Sequence, residues 1–165
     1  MTKFFTLLCC LFATTFYAQI NEGQDFCEPN KNGGFFPLSI EKKKILWADY
    51  SYFETQNGTK EINGKIYIEF LQDWGKQKEK LYLREENGII YQYDDCCTIE
   101  TVRYDKNFKK GHTWKTADGK STYEIMSYNG KLKTPFCEYK NLLVIKAELE
   151  YGTYQFYYLQ GHGYV

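Results

Sequence analysis

Apolar and polar residues alternate along most of this chain, and Gly-containing dipeptides interrupt the alternation at short intervals. From Lys65 to Leu71, Ile66, Ile68 and Phe70 alternate with Tyr67 and Glu69. That period of two is expected of a strand with one wetter face. Glu79 to Arg84 repeats it through Leu81 and Leu83, and Ile89 to Tyr93 follows Glu86-Asn87-Gly88. An Asn-Gly pair between alternating runs predicts a hairpin. Further strands are predicted over Ile45 to Phe53, with Trp47 and Tyr50 as anchors, and over Thr98 to Tyr104, Ser121 to Tyr128, Asn141 to Leu149 and Thr153 to Leu159. Turn signals fall at Gln56-Asn57-Gly58, Asn63-Gly64, Asp118-Gly119, Asn129-Gly130 and Tyr151-Gly152. No long amphipathic helical pattern occurs. The expected fold is all-β and mainly antiparallel, a curved sheet bent into a roll, half-barrel or sandwich.

The first residues break this pattern. Lys3 precedes a mostly apolar run from Phe4 to Phe16, and Ala18 offers a small residue for cleavage. The run is too short to span a bilayer and has the three-part layout of a secretory signal. Residues 1–18 are therefore read as a signal peptide and 19–36, polar and rich in Gly and Asn, as an extended N-terminal arm. Residues 37–165 form one β-rich domain, as the chain length suggests. A lipidated Cys9 or Cys10 is the rival reading, disfavoured by the bulky Leu8 and the short apolar run. The expected location is exported, periplasmic or extracellular.

Charge narrows the partners. The chain carries 21 basic and 21 acidic residues, and the mature part loses only Lys3. Near-neutrality argues against nucleic acid and against a polybasic membrane anchor, and no later segment reaches the length of a membrane span. Aromatic residues make up 19% of the chain, with sixteen Tyr. They suit half-buried pleated surfaces and supply a core. A sugar- or peptide-binding face is the functional alternative.

Cys27, Cys96, Cys97 and Cys137 remain after the signal is removed. An even number in an exported chain implies disulfides with three possible connectivities. Adjacent cysteines on a strand would point to opposite faces, which favours two long-range bridges over a Cys96–Cys97 bond. With no C-x-x-C spacing, neither a zinc site with His112 or His162 nor a redox centre is expected. The histidines sit beside glycines, as Gly111-His112 and Gly161-His162-Gly163, and read as turn residues. Asp94-Asp95 and Glu85-Glu86 read as solvated turn charges, and Lys42-Lys43-Lys44 as protection of a sheet edge. No catalytic or phosphate-binding motif is present, so neither a catalytic residue nor a cofactor is assigned.

A series of residues spans the domain: Asn63-Gly64-Lys65 with Tyr67; Leu83-Arg84-Glu85 with Gly88 and Tyr91; Tyr104-Asp105 with Phe108, Gly111 and Trp114; Thr134-Pro135 with Tyr139-Lys140-Asn141; and Tyr157-Tyr158 with Gly161-x-Gly163. This series resembles exported β-rich domains of the Bacteroidetes group, close in pattern to the DUF3108-like proteins, over roughly residues 37 to 165. Lysines 42–44 replace that group's Gly before its first Trp, and His162 replaces an aliphatic residue in the closing turn. The resemblance implies fold and compartment, and function does not follow from fold. The leading expectation is a non-catalytic domain that presents a face or cavity to an unknown protein or ligand. The rivals are a carrier of a lipid or other apolar ligand and an inhibitor or immunity protein against a secreted toxin. Ligand-facing candidates are Trp47, Ile66, Ile68, Phe70, Trp114, Leu143, Ile145, Tyr158 and His162.

Overall fold

Alternating β-branched and aromatic residues, punctuated by residues that tolerate a left-handed backbone, favour short antiparallel strands joined in sequence. The structure, a computed structural model, describes residues 27–46 and 51–165. The expected signal peptide, the first part of the arm, Trp47 and Tyr50 lie outside the described residues. The described chain forms eleven strands in two antiparallel sheets. The first sheet runs in order β1 (Lys42–Leu46), β2 (Ser51–Ile62), β3 (Lys65–Asp73), β4 (Lys78–Glu86), β5 (Ile89–Asp94) and β6 (Ile99–Asp105). The second runs β7 (Thr113–Lys115), β8 (Thr122–Lys133), β9 (Glu138–Leu149), β10 (Gly152–Leu159) and β11 (Gly163–Tyr164). All-β, antiparallel architecture is thus the observed class, and the first sheet curls into a half-barrel. Among the described residues no helix is long and apolar enough to cross a membrane.

The turn chemistry acts as expected at two hairpins. Asn63-Gly64 and Asn87-Gly88 have φ of 51° and 73°, and 56° and 82°. Positive φ at both central residues is the turn whose twist matches the flanking strands. Elsewhere the same dipeptides do other work. Gln56-Asn57-Gly58 does not reverse the chain: β2 continues through it as a bulge, with Gln56 opposite Phe70 and Thr59 opposite Ile68. Asn129-Gly130 lies inside β8. There Gly130 pairs with Leu142, and a Cβ would collide with the Val144 side chain. The glycine serves close packing. The strand predicted over Ile45 to Phe53 is two strands, since Leu46 pairs with Ser51 across a reversal.

The sheets meet on a core of Phe70, Leu81, Leu83, Ile90 and Tyr104 from the first and Ile125, Leu143 and Ile145 from the second. The opposite face of the first sheet is also covered. Its curl brings β3 to β6, so that Tyr67 donates a hydrogen bond to Glu100, and Lys65 pairs with the same carboxylate at 3.0 Å. Tyr67 is 2% exposed and Ile66 68% exposed, the reverse of the expected wet and dry faces at that end of β3. The period of two is present, but curvature decides which side of the pleat is buried.

Residues 27–38 dock the arm against the last turn. Asn30 N–H donates to the Gln160 carbonyl at 2.9 Å, and Gly161 N–H donates to the Gly34 carbonyl at 2.7 Å. Cys27 and Cys137 form a disulfide, with Cα atoms 5.3 Å apart. Cys96 and Cys97 lie against each other rather than reaching distant partners, so one long-range bridge forms where two were favoured. The reason is local: residues 95–98 form a turn, and a turn brings neighbouring side chains together where a strand would splay them.

Candidate functional site

The sheets do not fill the space between them. A cavity of about 200 Å³ lies between β1, β2 and β3 on one side and β10 and β11 on the other. Phe36 from the arm walls it, stacked on Tyr104 at 4.9 Å and against Tyr158 at 4.4 Å between ring centroids. A smaller space of about 90 Å³ shares Phe36, Arg103, Tyr123 and Tyr158 with it. Tyr52 completes the aromatic lining and stacks on Trp74 at 3.9 Å.

Period two sends Lys43 of β1, Glu54 of β2 and Gln72 of β3 into this cavity, because their registers place them side by side. Lys43 Nζ lies 3.0 Å from Glu54 Oε1, and Gln72 Nε2 donates to Glu54 Oε2 at 2.9 Å. Burial pushes the Glu54 carboxyl up. The Lys43 charge, the Gln72 hydrogen bond and the more distant Arg103 outweigh burial and hold it below its ordinary value. The Tyr158 phenol is pushed up to about 12, chiefly by burial. Tyr52 is raised by burial and by Glu54.

Arg103 reaches the cavity through a fault in the ladder. Ile90 pairs with Tyr104 and Tyr91 with Val102, which leaves Arg103 as the extra residue of a β-bulge. A bulge redirects side chains; here Tyr104 enters the core while its neighbour Arg103 lines both spaces between the sheets. Arg103 Nη1 donates to Gln92 Oε1, and Gln92 Nε2 donates to Asp94 Oδ1 at 2.6 Å. Thr101 Oγ1 donates to Asp94 Oδ2 at 3.2 Å. Asp94 is thus a structural acceptor lining the smaller space, not a solvated turn charge.

The sequence-derived candidates are distributed over several places. Phe70 and Tyr158 line the larger cavity, and Trp114, Ile145 and Tyr158 the smaller one. Leu143 is fully buried in the core, Ile68 packs beside it, and Ile66 is exposed near the β2–β3 turn. His162 sits in a groove outside the cavity, its Nε2 3.1 Å from the Glu28 carbonyl. His112 stacks on Phe108 at 3.7 Å. Lys42 and Lys44 lie over the Phe53 ring on edge strand β1, while Lys43 turns inward to Glu54. Arg103, Glu54, Gln72, Gln92 and Asp94 carry no motif, and a bulge has no period-two signature that would have singled out Arg103.

A second polar cluster lies inside the curl of the first sheet. Arg84 holds Glu100 through two hydrogen bonds, Nε to Oε2 and Nη2 to Oε1, each 2.7 Å. A third runs from Nη1 to Glu86 at 2.7 Å, and the guanidinium lies 4.1 Å from the Tyr91 ring centroid. With the Arg84 donors turned to Glu100 and Glu86 and its guanidinium over the Tyr91 ring, this cluster is a clasp across the half-barrel rather than an open site. Comparison with protein-family models, with curated proteins and with solved structures finds no match for this chain.

Proposed function

We propose that this chain is an exported, non-catalytic β domain that binds a small, largely apolar molecule between its two sheets. The observation that carries the reading is the cavity of about 200 Å³ walled by Phe36, Tyr52, Phe70 and Tyr158. Aromatic walls with a few convergent polar groups are the usual makeup of a ligand pocket. Its size speaks for a small ligand: about 150 Å³ suffices for benzene, whereas drug-sized ligands take about 300–1,000 Å³. A long acyl chain is therefore the less suitable occupant. The long-range Cys27–Cys137 disulfide suits an oxidising compartment, in keeping with the leader-like start of the chain.

The test is a titration of the ¹⁵N-labelled, disulfide-intact protein with 3-phenylpropanamide, followed by NMR. The proposal expects saturable shifts concentrated on Phe36, Arg103 and Tyr158. Shifts absent at millimolar ligand, or confined to the outer faces of the sheets, overturn it.

A further inference from the structure

The charges around the cavity narrow its ligand class. We infer that the site takes a small organic carboxylate with an aromatic or short aliphatic body, the carboxylate seated on Arg103. This rests on the cavity reading above and specifies it.

Arg103 is built into the space between the sheets. The bulge at Ile90–Tyr91 delivers it there, and its guanidinium carbon lies 6.0 Å from the Phe36 ring centroid. A guanidinium offers five N–H donors in a planar fork. One of them goes to Gln92 Oε1. Gln92 cannot turn its amide nitrogen toward Arg103, because that nitrogen donates to Asp94 at 2.6 Å. The chain Asp94–Gln92–Arg103 therefore fixes the fork while leaving most of its donors for something else.

No carboxylate of the described residues pairs with Arg103 within 4.0 Å. The acid that shares the larger cavity, Glu54, is taken up by Lys43 at 3.0 Å and Gln72 at 2.9 Å. Asp94, on the side of the smaller space, accepts from Gln92 and Thr101. The larger cavity is lined by Lys43 and Arg103 against Glu54 alone, an excess of one positive charge. A carboxylate is the group whose geometry matches an arginine fork, and most of the donors of the Arg103 fork are unfilled.

The surface beside the cavity carries further lysines. A neighbouring groove shares Lys43, Ile45 and Tyr164 with it. Lys42 and Lys44 line that groove too. Lysines beside the cavity raise the local concentration of anions. The aromatic walls then accept the body of the ligand, which makes an inorganic anion a poor occupant.

The experiment is calorimetric titration of the disulfide-intact protein with 3-phenylpropionate and with its neutral isostere 3-phenylpropanamide. The carboxylate is expected to bind at least tenfold more tightly, with an affinity that falls as salt is raised while that of the amide does not. Arg103→Gln is expected to bring carboxylate affinity down to that of the amide, and Arg103→Lys to keep part of the preference. Equal affinities in the wild type, or a preference that survives in Arg103→Gln, overturn the carboxylate assignment and leave the cavity reading standing. Binding of neither probe removes both. If Arg103→Gln does not fold, the wild-type affinity ratio and its salt dependence decide alone.

Discussion

The clasp inside the half-barrel makes a quantitative prediction about pH. Arg84, Tyr67 and Lys65 all favour the ionised form of Glu100. The Arg84 hydrogen bonds contribute most, and together these groups pull the carboxyl from an ordinary 4.5 down to about 2. A carboxyl depressed in the folded state adds stability that is fully present above the unfolded value and is lost as pH falls toward the folded one. The window is therefore pH 4.5 to about 2. Fully shielded, such a shift would be worth about 3 kcal/mol, at about 1.4 kcal/mol per unit. The Arg84 and Glu100 side chains keep 12% and 17% of their exposure, and screening by water reduces the figure to roughly 1–2 kcal/mol. Urea denaturation of wild type and Glu100→Gln across this range measures it. At pH 7 the variant should be less stable by roughly that amount, and the two curves should converge near pH 2 as the wild-type carboxyl takes up its proton. A stability gap that is the same at pH 7 and near pH 2 would refute the reasoning, because other acids titrate in both proteins and cancel from the difference.

Three further outcomes follow from the packing. Replacing Cys27 and Cys137 together by Ser should destabilise the protein by about 4 kcal/mol in chemical denaturation, since the bridge closes a long span of chain. Gly130→Ala should cost roughly 1–3 kcal/mol through its collision with Val144, and adding Val144→Ala should cost less than the sum of the two single changes, as a double-mutant cycle can read. Phe36→Ala should cost roughly 2–3 kcal/mol, less than a fully buried Phe because the ring is half-buried, and should weaken 3-phenylpropanamide binding in the same NMR titration.

Local physics was legible in the sequence wherever neighbours in the chain decide the outcome. Alternation specified strands, and Asn63-Gly64 and Asn87-Gly88 specified reversals, because both depend on a few adjacent backbone angles. The same dipeptide at Asn129-Gly130 needed the opposing strand to reveal its role, since the crowding comes from Leu142 and Val144. Which face of β3 is dry was likewise undecided until the sheet curled and brought Glu100 over Tyr67. The cavity belongs wholly to the tertiary structure. Lys43, Glu54, Gln72 and Arg103 are unremarkable strand residues in a list of letters. Register sets the first three side by side, and one extra residue in β6 turns the fourth inward. Periodicity reports which side of a strand a residue takes, whereas the meeting of charges from separate strands depends on pairing across chain distances that no local pattern encodes.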